Sequence, residues 1–472
     1  MRTITTAFCV LMMSSGLFAQ EGGRLPSAPA PQNLLITPTL TYSSIRGWQQ
    51  PAPASPQSAP QSTFVPPSQT LTLKDAEAIA LKNNPQISVS RLVALASQQV
   101  TREARSGFWP TAAADITGVD AQENSRISAG GLNNPIIYER AAGGVTVSQL
   151  ITDFGRTSNL ASSANLAAKA EAENALATRQ QVLLAVNQAF FNALQTHAVL
   201  KVAEQTVNAR QVLADQVGAL AKNKLKSDLD LSFANVNLAQ AKLLLLDAQN
   251  NDKAALASLS AVLGFPSVQE FVLQDVSEAG AAPPGDVDSL INTAFSTRPE
   301  LLALDFQYRS TQKFKTAERD LILPSLRALG TVGGAPVRND HLPSWYGAVG
   351  ANLDIPIFNG FLYSARAREA ELRSEAVRDR GVDLRNRIAR DVRTSWLSAN
   401  NAYERLGVSK QLLEQAQLAL ELAQARYKLG LSSIVELSQA QLQATQAEIG
   451  SAQAGYDYSL ALAMLQFETS GL

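Results

Sequence analysis

Residues equipped for catalysis or metal binding are few and scattered. The 472-residue chain has two histidines, His197 and His341, which stand apart, and one cysteine, Cys9. No Ser/His/Asp cluster and no glycine-rich phosphate loop occurs, and the acids are spread along helical patterns, so no catalytic residue, metal site or cofactor is expected. The net charge of −1 provides no basic field for nucleic acid. Charged groups gather instead at two short breaks. In Lys428-Leu429-Gly430-Leu431-Ser432-Ser433-Ile434-Val435-Glu436-Leu437, an acid follows a glycine and two serines. In Lys222 to Leu231, Lys222, Lys224 and Lys226 precede Ser227 and Asp230. A carboxylate so placed either complements the positive end of a helix or serves as a fixed charge beyond it.

Long helices must position both breaks. From Phe361 to Tyr427 and from Ser433 to Phe467 the chain is rich in Ala, Leu, Gln, Glu and Arg and has no proline. Gly430 can end one helix in the left-handed conformation, and Ser432 or Ser433 can cap the next. The returning segments carry heptads of small residues: Ala234, Leu238, Ala241, Leu245, Ala248, Ala255, Leu259 and Val262, then Ala440, Ala444, Ala447, Ser451, Ala454, Tyr458, Ala461 and Leu465. Such seams call for close coiled-coil packing. A helix of ~65 residues spans roughly 100 Å, longer than a globular domain requires.

At the amino terminus, Arg2, the apolar run Thr6 to Leu17 and Leu17-Phe18-Ala19 read as a signal peptide over 1–19. A lipoprotein would acylate Cys9, but Thr6-Ala7-Phe8 lacks the usual leucine and leaves almost no apolar segment before it. Residues 20–69 are rich in Pro, Ser and Ala and read as an extended lead segment. No later apolar run reaches ~18 residues, so any membrane span must be β.

The remainder is duplicated, with one copy over 70–285 and a second over 286–472. Pro85 and Pro299 stand 214 residues apart, as do Pro110 and Pro324, each pair at a helix boundary. Thr72 to Asp75 reads as a capping box. After Pro110 and Pro324 the helical period stops, and Thr111 to Ala121 and Ser325 to Val337 suit strands followed by loops. Second strands follow. Trp345, Gly347, Val349, Ala351, Leu353 and Ile355 give one face; Tyr346, Ala348, Gly350, Asn352 and Asp354 give the other, echoed by Val145 and Val147 against Thr146 and Ser148. This alternation reads either as a membrane barrel strand, with Asn352, Asp354, Thr146 and Ser148 facing a lumen and Trp345 and Tyr346 in an interfacial girdle, or as a soluble hairpin. From Asp153 and Asn359 onward the spacing is 206, so the first inter-strand loop, around 122–135, holds eight more residues.

This order of helix, proline break, helix, strand, loop, strand, long helix, turn and long helix, made twice after a signal peptide, resembles the TolC family of outer-membrane efflux proteins. Leu71-Thr72-Leu73-Lys74-Asp75-Ala76 through Asn84-Pro85, Leu353 to Gly360, and Ala425 to Ser433 carry the resemblance, which runs from about Thr70 to the end. It implies a mainly α fold with a membrane β-barrel part: a homotrimer whose chains each give four strands to a shared twelve-stranded barrel in outer-membrane lipid. The helices then form a periplasmic tunnel closed by the hairpin tips near 222–228 and 428–434. Four strands alone cannot close, so oligomerisation is required.

The resemblance also implies roles. Glu436 falls at the constriction acid, Asp230 at its counterpart beyond the first tip, and Gln439 where some members carry a second acid. Rings of like charge there would set selectivity. A periplasmic adaptor, itself joined to an inner-membrane pump, would dock at Gly430, Leu431 and Ser432 and at Lys224 and Leu225. Ser432 replaces a basic gate partner, and the lysine-rich first tip is expected to pair with Glu436 or with a partner. The function implied is export, in multidrug efflux or type I secretion. The sequence does not distinguish drug, metal, peptide or protein as cargo. A non-channel periplasmic coiled-coil protein is the alternative.

Overall fold

A computed structural model describes residues 70–119, 126–129, 132–136, 140–275, 282–334 and 344–471. The expected signal peptide and lead segment, 1–69, lie outside these residues. Helix α1 (Leu73–Asn83) starts at a capping box in which the Asp75 amide donates to Thr72 Oγ1 at 3.1 Å and the Asp75 carboxylate accepts from the Thr72 amide at 3.4 Å. Asn84 caps α2 (Pro85–Ser106), and Pro85 occupies its first turn, where a missing N–H costs nothing. In the second half α5 (Val287–Thr297) and α6 (Pro299–Arg319) repeat this pair, with Pro299 placed like Pro85.

Helices α3 (Arg156–Lys222) and α7 (Leu362–Lys428) each have 67 residues, and α4 (Asp228–Val262) and α8 (Ile434–Thr469) return from them. The heptad seam is buried through Ala234, Leu238, Ala241, Ala248, Ala255 and Leu259, and through Ala440, Ala444, Ala447, Ala454, Tyr458 and Leu465. Alanine at these positions lets helix axes approach closely, so the apolar interior is a series of clusters along the helices. In one of them Phe190, Val186 and Leu259 meet α1 through Ala76 and Ala80.

Four antiparallel strands stand in the order β2 (Thr111–Val119), β5 (Arg140–Thr152), β7 (Ser325–Gly334) and β8 (Trp345–Asp354). Register is the same in both halves. Thr111 pairs with Ser148, and their counterparts Ser325 and Asp354 pair likewise. The halves join through β5 and β7, with Thr146 opposite Thr331. Strands β2 and β8 are left as edges. Two minor pairings complete the topology: β1 (Thr70–Leu71) lies parallel to β6 (Val272–Leu273), and β3 (Arg126–Ala129) with β4 (Leu132–Ile136) forms a small hairpin in the first inter-strand loop, where only a loop was expected. Among the described residues no helix is long and apolar enough to cross a membrane.

Candidate functional site

At both tips the backbone turn is the same. The Gly430 amide donates to Tyr427 O at 3.1 Å and the Leu431 amide to Arg426 O at 2.8 Å. At the first tip the Lys224 amide donates to Ala221 O and the Leu225 amide to Leu220 O, both at 2.9 Å. The second bond of each pair closes six residues, the geometry that satisfies the last carbonyls of a helix through a left-handed residue. That residue is Gly430 at φ 75° in one tip and Lys224 at φ 57° in the other. Leu225, Leu429 and Leu431 project from the turns with large exposed apolar surface.

The two acids are held differently. Asp230 closes a capping box: its carboxylate accepts from the Ser227 amide at 3.2 Å and from Ser227 Oγ at 2.9 Å, while its amide donates to Ser227 Oγ at 3.1 Å. Its charge is committed to the start of α4. Glu436 gives only its amide to the Ser433 cap, at 3.3 Å, and its carboxylate turns to Arg426 Nε at 3.5 Å. The expected pairing of the first-tip lysines with Glu436 is corrected here: the partner is Arg426 of the same hairpin, and Lys226 instead places its ammonium 4.0 Å above the Tyr427 ring. Gln439 is exposed beside Glu436, with no charge of its own.

Beneath the tips the four helices meet. Ala214 and Val217 of α3, Ala234 and Leu238 of α4, Ala423 and Tyr427 of α7, and Ile434, Leu437 and Ala440 of α8 form one buried cluster. Asn237 donates to Ser438 Oγ across α4 and α8 at 2.6 Å. Tyr427 is the residue sequence reasoning missed; its signal was an aromatic closing an apolar seam just before the turn. Its hydroxyl and Ser432 Oγ have no hydrogen-bond partner among the described residues. Burial, and then the charge of Asp230, push the Tyr427 phenol up. Higher on α3, Arg210 is buried, and desolvation lowers its guanidinium to about 10, still charged at neutral pH. Among the described residues no cluster of His, Cys, Asp and Glu could hold a metal ion.

The sheet separates two faces. Ile116, Val145, Val147, Val332 and Val349 share one, where Ile116 is 92% and Val349 93% exposed, and Trp345 lies on it. Asp115, Thr117, Thr146, Ser148, Thr331, Arg327, Asn352 and Asp354 share the other, with Thr146 and Thr331 hydroxyls 3.3 Å apart. Asp354 and Arg327 border a polar cleft with Asp153, Arg156 and Asp320 where strands meet helices. Tyr346 falls on the polar face. Its ring lies over Gly144 and Gly333, where an added Cβ would come within 2.5 Å of its hydroxyl. The two aromatics expected in an interfacial girdle therefore lie on opposite faces of β8, Trp345 with the valines and Tyr346 with the polar residues, because adjacent strand residues point to opposite faces. At the helix end of the strands, Phe108, Trp109, Phe154, Phe358 and Phe361 are all exposed. Sequence reading passed over them because they sit in turns, outside any alternation.

Three comparisons with known proteins bear on this architecture. The model of the outer membrane efflux protein family matches residues 78–265 and 290–469. Outer membrane efflux protein BepC of Brucella suis biovar 1 (strain 1330) is 22% identical over 404 residues, 83% of this chain and 83% of the relative. Cation efflux system protein CusC of Escherichia coli (strain K12) is 22% identical over 457 residues, 92% of each chain. Among solved structures, a membrane protein from Pseudomonas aeruginosa superposes with a TM-score of 0.73 at 21% identity, covering 84% of this chain and 92% of that one.

Proposed function

The chain belongs to the outer membrane efflux protein family and is an export channel of the outer membrane; we propose that three copies close its barrel and that Glu436 forms the charged ring at the far end of its tunnel. The open edges of β2 and β8 support the closure, since an unpaired strand edge is not tolerated in lipid. The polar face, with Thr146, Ser148, Asn352 and Asp354, then lines the lumen, and the valine face meets lipid. Trp345 at one end of the strands, and Trp109, Phe154, Phe358 and Phe361 at the other, sit at the two interfaces.

The observation that carries the ring is the difference between the acids. Asp230 spends its carboxylate on a helix cap, whereas Glu436 keeps an exposed carboxylate that, among the described residues, is balanced only by Arg426. Glu436 is therefore the acid that can act on cargo, and Asp230 and Gln439 flank it. Gly430, Leu431, Ser432, Lys224 and Leu225 form the end that a periplasmic adaptor grips, joined through it to an inner-membrane pump. Apolar leucines on both turns support that docking. The system is one of multidrug efflux or type I secretion, with the cargo chosen by the pump.

Planar-bilayer conductance tests the ring. Glu436→Ala is expected to lower cation selectivity markedly, and Asp230→Ala to act mainly by weakening the start of α4. Unchanged selectivity in Glu436→Ala would remove Glu436 from the constriction.

A further inference from the structure

Just above the cluster beneath the tips, α3 buries a charge that nothing balances among the described residues. Arg210 is 8% exposed, its Nη1 has no hydrogen-bond partner, and its guanidinium enters no ion pair. Burial alone acts on that guanidinium, with no acid near enough to offset it. An unpaired buried cation is costly. Water can satisfy its N–H groups but cannot neutralise it.

A second orphan faces the same space. Gln441 of α8 is 7% exposed, and its Oε1 has no partner among the described residues. Arg210 stands one heptad from Val217 and one turn from Ala214, and Gln441 stands one heptad from Ile434 and one turn from Leu437. All four of those neighbours belong to the cluster where the helices meet, so both polar side chains point into the same interior. They also share a height. Gln195 donates to Asp457 at 3.0 Å across α3 and α8, which run in opposite directions, and fifteen residues further along α3 brings Arg210 level with Gln441 and Leu442. Ala214, Ala241, Ala440 and Ala444 are buried around this height and leave the layer without bulk.

The second hairpin is built without either group. Ala416, the counterpart of Arg210, packs with Ala444 and Ala447, and Asn235, the counterpart of Gln441, is exposed. The repeated architecture therefore needs no charge at this layer. We propose that Arg210 and Gln441 hold a small monovalent anion such as chloride between α3 and α8, fastening the first hairpin to the second. The anion accepts from Arg210 Nη1 and from the side-chain amide of Gln441. No donor holds Gln441 Oε1 in place, so that amide can turn to present its N–H. One positive charge and an alanine lining select a small ion of single charge over sulfate or an organic acid. The site lies within one chain and does not depend on the number of copies.

Hydrogen exchange on the full chain in detergent tests this, with sodium chloride compared against sodium gluconate at equal ionic strength. Chloride at ten times its dissociation constant is expected to slow exchange of the amides around 210 and 441 by about tenfold. Arg210→Met, which fills the layer without a charge, is expected to exchange alike in both salts, and Arg405→Met, an exposed control, to respond as the parent does. Gln441→Leu is expected to raise the chloride concentration required by about fivefold. Crystals of the parent chain grown in sodium bromide are expected to show an anomalous peak in contact with Arg210 Nη1, a readout that stands even if the variants fail to fold. A chloride response that survives in Arg210→Met, a map without bromide at Arg210, or a carboxylate of a neighbouring copy seated on that guanidinium would each overturn the site.

Discussion

The two halves fasten one joint with opposite chemistries. Where α1 gives way to α2, Asn84 caps α2 and donates from Nδ2 to Val262 O at 2.9 Å, tying down the end of α4 with neutral groups. Where α5 gives way to α6, Arg298 stands in place of Asn84. It donates from Nη1 to Glu468 at 2.5 Å, contacts Glu300 at 3.3 Å and lies 5.3 Å from the Phe467 ring. Glu468 stands where Val262 does. Arg298 is 8% and Glu468 7% exposed, so the second half buries an ion pair where the first places one half-buried amide. Burying charge is costly unless it is paired, which makes the second joint the one that fails abruptly when a partner is lost.

The largest expected effect follows. Arg298→Ala leaves the Glu468 carboxylate buried without its partner and should destabilise by about 3 kcal/mol or more. Asn84→Ala removes one cap and one hydrogen bond and should cost about 1–2 kcal/mol. Denaturant unfolding in detergent measures both, and equal losses would dissolve the contrast. The joint should also respond to pH. Burial pushes the Glu468 carboxyl up against the opposing pull of Arg298, so the folded state holds that proton more tightly than the unfolded chain does. Its contribution to stability is complete below the ordinary carboxylate value and is lost as pH rises through the raised one. Glu468→Gln should therefore flatten the fall in stability across that window. A difference between the two proteins that is constant with pH would mean that Glu468 titrates as it does when unfolded.

The long helices, their turns and the order of the strands were legible because each is written locally: prolines at equal spacing, small-residue heptads, serine caps and alternating strands. The family match then decided between the channel and the soluble coiled-coil protein, which local pattern left open. What stayed hidden was pairing across distance. Glu468 lies 170 residues from Arg298 in sequence, and nothing near either announces the other. At the tips, the lysines 222, 224 and 226 suggested partners for Glu436. The nearer cation was Arg426, which the turn folds back alongside it. Alternation likewise assigned Tyr346 a side of its strand, but only the neighbouring strands showed that Gly144 and Gly333 leave room for its ring.

The smallest effect concerns the turns. Lys224 and Gly430 hold equivalent left-handed positions, and only glycine, which has no Cβ to crowd the backbone, does so without strain. A Cβ at Gly430 would meet nothing within 4 Å, so Gly430→Lys is penalised by backbone conformation alone, about 1 kcal/mol. Lys224→Gly relieves the same strain at the first tip, but the gain is smaller, because glycine also loosens the unfolded chain. The readout is amide exchange at Leu225 and Leu431, whose N–H groups close the two turns. Gly430→Lys should speed exchange at Leu431 by about fivefold, the equivalent of 1 kcal/mol in local opening, and Lys224→Gly should slow it modestly at Leu225. If neither rate moves, the tips open as part of a larger unit, and the cluster around Tyr427, rather than either turn, sets their stability.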